Sequence, residues 1–184
     1  ANPCIPCFAK MNPRELVDHI RSGPTEIVLT GALPRFRRRT RSNPCDFNEF
    51  LQALKSSETI RSAECGVHVL LRITEDDWTL LVKTLGSIKG IQNLRFNCVS
   101  GSRSFRPFQA FADAVNDATL LRKLIFVLDP ETFSRDPSGL TALANALREH
   151  STLKIFSWSE FGSRQREAGP FGSLQEEAGP FGSR

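Results

Sequence analysis

Four apolar positions spaced i, i+3, i+4 and i+7 recur five times along the chain. The sets are Pro13, Leu16, Val17 and Ile20; Phe47, Phe50, Leu51 and Leu54; Trp78, Leu81, Val82 and Leu85; Phe108, Phe111, Ala112 and Val115; and Leu140, Leu143, Ala144 and Leu147. Each set lines one stripe of a helix. Their starts lie about 30–34 residues apart, within the periods that mark stacked arrays. A helix of about eleven residues is marginal alone in water, because nucleation is costly and few bonds follow it. Four buried side chains, at about 1.5–3 kcal/mol each, can stabilise it only if a neighbouring unit covers them. The repeat therefore predicts one continuous stack rather than separate helices.

A second signature follows each helix. Ile60, Ala63 and Cys65; Ile91, Leu94 and Phe96; Leu121, Leu124 and Phe126; and Leu153, Phe156 and Trp158 all have the form L-x-x-L-x-L. In the first unit, "TEIVLTG" fits only with a one-residue slip that leaves Gly31 at a large-side-chain position, and "VHVLLRIT" (Val67 to Thr74) competes as the second strand. Helix starts are signalled by Asn12 before Pro13, Asp46 before Phe47, Asp76 and Asp77 before Trp78, Pro107 before Phe108, and Ser138 before Gly139. Parallel strands joined through helices imply a right-handed, curved α/β solenoid, with strands inside the curve and helices outside.

The units "FQAFADAVNDATLLRKLIF" and "LTALANALREHSTLKIFSW" resemble leucine-rich repeat proteins of the ribonuclease-inhibitor type, and the resemblance covers about residues 13 to 160. It implies an α/β solenoid of about five helix–strand units with parallel strands on the concave face, which binds protein there and shares no catalytic residue. The chain departs from the pattern at the ninth motif position, where His68, Val99, Asp129 or Phe161 replaces Asn or Cys. The organisation expected is an irregular Cys/Pro-containing segment over 1–12, the repeat domain over 13–160, and a tail over 161–184 with an irregular structure.

Alternation assigns the residues between the inward strand positions to the concave side. They are Ser62, Glu64 and Gly66; Asn93, Arg95 and Asn97; Lys123, Ile125 and Val127; and Ile155, Ser157 and Ser159. Ile125, Val127 and Ile155 beside Arg95 and Lys123 give the apolar and cationic mixture found at the centre of protein interfaces.

The net charge of +4 is local: residues 1–45 hold eight Lys/Arg against three Asp/Glu. Arg35, Arg37, Arg38, Arg39 and Arg41 lie on the loop expected between the first strand and the second helix. Guanidinium groups in that density suit an acidic protein, an anionic lipid headgroup or nucleic-acid phosphates. No aromatic base-stacking set accompanies them, so RNA or phosphate binding is the alternative to protein binding.

From Phe161 the composition changes to "FGSRQREAGP", "FGSLQEEAGP" and "FGSR", a decapeptide repeat offering Phe161, Phe171 and Phe181. Ordering ten residues costs roughly 10–20 kcal/mol of backbone entropy, while burying one Phe returns about 1.5–3 kcal/mol. A partner is expected to hold this tail, and its repeated motifs suit multivalent engagement.

Other chemistry is thinly supported. Five cysteines in a chain of this size do not form a disulfide-stapled mini-domain pattern, and a reducing compartment is favoured. Cys4-x-x-Cys7 with Cys45 supplies three plausible zinc ligands where a structural site wants four; a disulfide or free thiols fit better. Cys65 and Cys98 fall at or beside buried strand positions. His19, His68 and His150 share no repeat position, there is no phosphate-cradling glycine loop, and no paired carboxylates recur. No catalytic residue, metal ligand or cofactor is assigned. No run is long and apolar enough for a membrane span, and the chain reads as soluble and intracellular, or organellar if a targeting segment preceded Ala1. The expected role is a non-catalytic interaction or scaffold subunit of a larger assembly.

Overall fold

A computed structural model describes residues 11–29, 46–66, 74–98, 106–128 and 130–160. Helices α1 (Pro13–Arg21), α2 (Phe47–Lys55), α3 (Glu75–Gly86), α4 (Phe108–Asp117), α5 (Pro130–Arg135) and α6 (Pro137–Glu149) alternate with strands β1 (Glu26–Leu29), β2 (Ser62–Gly66), β3 (Asn93–Cys98), β4 (Lys123–Leu128) and β5 (Ile155–Glu160). The strands form one parallel sheet in the order β1-β2-β3-β4-β5, so each crossover joins nearest neighbours. This is the expected five-unit α/β solenoid of leucine-rich-repeat form.

The inward motif positions are in register from strand to strand. Ile27, Ala63, Leu94, Leu124 and Phe156 make one row, and Leu29, Cys65, Phe96, Phe126 and Trp158 the next. The helical stripes of the first four units meet these rows: Leu16, Val17, Ile20, Phe50, Leu54, Trp78, Leu81, Val82, Leu85, Phe108, Phe111 and Val115 are buried. Aromatic rings fill the middle. Phe111 lies 4.7 Å from Phe96 and 4.6 Å from Phe126, centroid to centroid, and Trp78 meets it edge-on at 5.5 Å. Close helix approach explains one glycine: a methyl at Gly86 would strike the Ala114 backbone of α4.

Several boundaries differ from expectation, each for a local reason. In the first unit Ile27 and Leu29 themselves occupy the positions of Ala63 and Cys65, because α1 ends in a short turn at Gly23 (φ +85°) that shortens its crossover. Gly31 therefore holds no motif position within β1, which ends at Leu29. The second strand is Ser62–Gly66; the competing segment contributes Thr74, whose side chain accepts from the Asp77 amide and caps α3 in place of Asp76 or Asp77. Asn12 forms the expected cap reciprocally with Glu15, and Asp46 caps α2 through the Glu49 amide at 2.8 Å.

The last unit departs most. An additional helix, α5, precedes α6, and α6 is capped by Asp136, with Pro137 at its first turn, rather than by Ser138. Asp136, 5% exposed, accepts from Gly139 N at 3.1 Å through one oxygen and from Phe108 N at 3.1 Å through the other. One carboxylate thus caps both α6 and α4, and it supplies the side-chain cap that Pro107 lacks. The α6 stripe is rotated to Gly139, Leu143 and Ala146, which leaves the expected Ala144 exposed and Leu140 and Leu147 half-buried. Beyond α6 no further unit follows among the described residues, so Leu153 and Phe156 are only half-buried and Trp158 is exposed.

Candidate functional site

The sheet face opposite the helices carries the alternate residues of every strand, and the register aligns them in rows. One row runs Glu26, Ser62, Asn93, Lys123 and Ile155; a second runs Val28, Glu64, Arg95, Ile125 and Ser157; a third runs Gly66, Asn97, Val127 and Ser159. The twelve residues expected on this face occupy these rows. Glu26 and Val28 join them, and the first-unit slip had hidden both. The Gly-Pro pair 23–24, a recognised turn signal, marks the shortened crossover that makes their places legible.

Polar and apolar groups separate along this face. Arg95 is not a bare cation: its Nε lies 3.6 Å from Glu64 Oε1 and donates to Asn97 Oδ1 at 3.4 Å. Asn97 Nδ2 donates to the same Glu64 oxygen at 2.8 Å, closing a three-residue network across β2 and β3. Lys123, one strand further, is exposed. Ile125 and Val127 on β4 are half-buried, and Ile155 on β5 is 50% exposed beside Lys123. The five sheet residues expected to bind a partner thus share one surface, acidic at Glu26 and Glu64, cationic at Arg95 and Lys123, and apolar at Ile125, Val127 and Ile155.

The remaining expected site residues lie outside the described residues: Arg35, Arg37, Arg38, Arg39 and Arg41 of the loop, and Phe161, Phe171 and Phe181 of the tail. Cys4, Cys7, Cys45 and the ninth motif positions His68, Val99, Asp129 and Phe161 are likewise outside them.

The titratable groups inside the array are structural. Burial pushes the Cys65 thiol up to about 12, against the downward pull of the Trp78 indole N–H, and the Glu64 charge adds to the rise. Such a thiol is protonated at neutral pH and unreactive. His150 closes α6, where its Nε2 lies 3.0 Å from the Ala118 carbonyl oxygen and must therefore carry the hydrogen. Thr152 donates to the Leu121 carbonyl at 2.8 Å beside it, so both tie the last crossover to the one before. Among the described residues, no group of three or more His, Cys, Asp and Glu could hold a metal ion, and no helix is long and apolar enough to cross a membrane.

These features define the class as a short α/β solenoid with an open strand face. No protein-family model matches the chain, and no curated protein matches it. Among solved structures it is similar to Leiomodin-1 Actin-Binding Site 2 (ABS2), with a TM-score of 0.51 and 16% identity over 79% of this chain and 78% of that one. At that identity the likeness is one of fold.

Proposed function

We propose that the chain is a non-catalytic protein-binding module that takes its partner on the open strand face. The observation that carries this reading is the in-register placement of Lys123 and Arg95 beside Ile125, Val127 and Ile155 on the face opposite the described helices. An apolar patch flanked by polar and charged groups excludes water from its contacts and still fixes orientation, as at protein interfaces. Parallel strands spaced about 4.8 Å apart hold these side chains on rigid backbone, so little ordering cost is added on binding. The fold neighbour is an actin-binding site, in keeping with a protein ligand for this architecture.

In the fuller form of this reading the chain is a scaffold subunit, with Arg35, Arg37, Arg38, Arg39 and Arg41 and the tail phenylalanines Phe161, Phe171 and Phe181 making further contacts to a larger complex. Affinity capture from the native source, followed by mass spectrometry and rebinding of the purified partner, tests it. Ile125→Asp puts a charge in the middle of the apolar patch and should weaken the complex by at least tenfold. Unchanged binding by that variant refutes the strand-face reading.

A further inference from the structure

We propose that two copies of the chain associate through their β5 strands, paired antiparallel about a twofold axis at Ser157. The sheet has two outer strands, and they differ. β1 is four residues long and begins with Glu26, whereas β5 is six residues long, carries its one charge, Glu160, at its last position, and has no proline or glycine. Soluble proteins usually blunt an edge with such residues, with bulges or with a covering element. Beside this edge, which no element among the described residues covers, Trp158 is 47% exposed, at the position where Phe96 and Phe126 are 1% exposed in the preceding units. Phe133 of α5 already packs edge-on against Trp158 at 5.1 Å, so the aromatic layer of the described residues reaches the edge.

The backbone sets the register. Ile155 N–H donates to Arg122 O at 3.0 Å, towards β4. Alternation along a parallel ladder then turns the amides of Phe156, Trp158 and Glu160 towards the free edge. An axis at Ser157 makes Phe156 and Trp158 of the partner subunit a hydrogen-bonded pair, repeated by symmetry. The same register sets Lys154 opposite Glu160 of the partner subunit, again twice, so the two uncharged cores are flanked by opposite charges. Each subunit would complete the other's aromatic layer, the role that a sixth unit would otherwise fill. Two preformed edges lose only rigid-body freedom on pairing, whereas a decapeptide laid along the same strand would lose the backbone freedom of every residue fixed.

Sedimentation equilibrium of the full chain, without any partner, tests this. The expected result is a concentration-dependent dimer that Trp158→Gln weakens by more than tenfold. Lys154→Glu and Glu160→Lys should each weaken it roughly tenfold, since each turns two flanking attractions into repulsions. Combining both changes in one chain should restore the dimer, and mixing the two single variants should give a heterodimer tighter than either homodimer. The charge variants decide the matter even if Trp158→Gln fails to fold. A monomer at all concentrations, as would result if residues 161–184 covered β5 in the same chain, overturns the proposal. So does a dimer indifferent to charge reversal, or one lost with Ile125→Asp, which would place association on the strand face instead.

Discussion

The two ends of the array carry the same helix–strand unit and finish it differently. At the amino-terminal end Leu16, Val17, Ile20, Ile27 and Leu29 are all buried, although among the described residues their unit has a neighbouring unit on one side only. Its helix is short, turns Arg14, Asp18 and Arg21 to solvent, and is tied to α2 where Arg14 and Arg21 reach Glu49 at 3.6 and 3.2 Å. A polar outer face of this kind is what a terminal unit of a solenoid needs. At the other end Phe156 and Trp158 fill the positions of Ile27 and Leu29 in the register, yet neither is buried, and Ala144 of α6 faces water. The difference shows that the strand motif by itself buries nothing. A motif residue is buried to the extent that helices and strands exist to cover it, and the carboxy-terminal unit carries more aromatic surface than the described residues cover.

Truncation at the same motif position in two units should expose that difference most strongly. Phe126 lies between rings on three sides, with Phe96 stacked at 5.7 Å, Phe111 at 4.6 Å and Phe156 edge-on at 6.1 Å. Phe126→Ala should cost about 3–5 kcal/mol of unfolding free energy, as a large cavity opens in a packed layer. Trp158→Ala removes a larger side chain that is already half in water, and should cost only about 1–2 kcal/mol. Denaturant titration of both variants checks this, at a protein concentration low enough to keep the chain monomeric. Equal losses would mean that the carboxy-terminal edge is covered in solution and that the contrast between the ends is false.

Asp136 should rank next, because it holds the weaker end to the stronger interior. Asp136→Ala leaves the Phe108 and Gly139 amides without their acceptors in a buried place, at an expected cost of about 2–4 kcal/mol. Asn offers one accepting oxygen where the carboxylate offers two, so Asp136→Asn should lose about half as much. Amide hydrogen exchange gives the sharper reading: protection should fall at the starts of both α4 and α6 in the alanine variant. A loss confined to α6 would show that the last unit is held by packing and not by the shared cap.

Much of the array on which this contrast rests was legible in the sequence, and the gaps have physical causes. The stripes beginning at Phe47, Trp78 and Phe108 and the strand motifs ending at Cys65, Phe96 and Phe126 were readable because helix and strand periods differ and both recur at one spacing. The same alternation placed Arg95, Lys123, Ile125, Val127 and Ile155 on one face before any register was known. What could not be read was set by neighbours. Whether Trp158 is buried depends on a covering element outside its own motif, and the rotation of α6 away from Ala144 follows from its packing against α4. The cap from Asp136 to Phe108 joins residues 28 apart, and local signals at Pro107 and Ser138 pointed elsewhere. In the binding surface, the charges of Glu64 and Arg95 were visible, but their mutual engagement through Asn97 required the strands to be laid side by side.

The smallest expected effect concerns the inner seam between α3 and α4. Lys83 Nζ lies 2.7 Å from one oxygen of Asp113, and Gln109 Nε2 donates to the other at 2.9 Å. Partial burial would raise the Asp113 carboxyl, but these two hydrogen bonds and the lysine charge outweigh it and hold the group below its ordinary 3.8. Its folded pKa is thus depressed relative to the unfolded chain. The stability it contributes is present above about pH 3.8 and is lost as pH falls through the lower folded value. Lys83→Met should return the Asp113 value towards 3.8, followed by the carboxyl carbon shift in an NMR titration, and high salt should do part of the same because both side chains are partly solvated. The neutral variant should cost no more than about 1 kcal/mol near pH 7. If the Asp113 titration did not move, the seam between interior helices would owe its closeness to packing at Gly86 and Ala114, and among the described residues ion pairing that holds one helix to the next would be confined to α1 and α2.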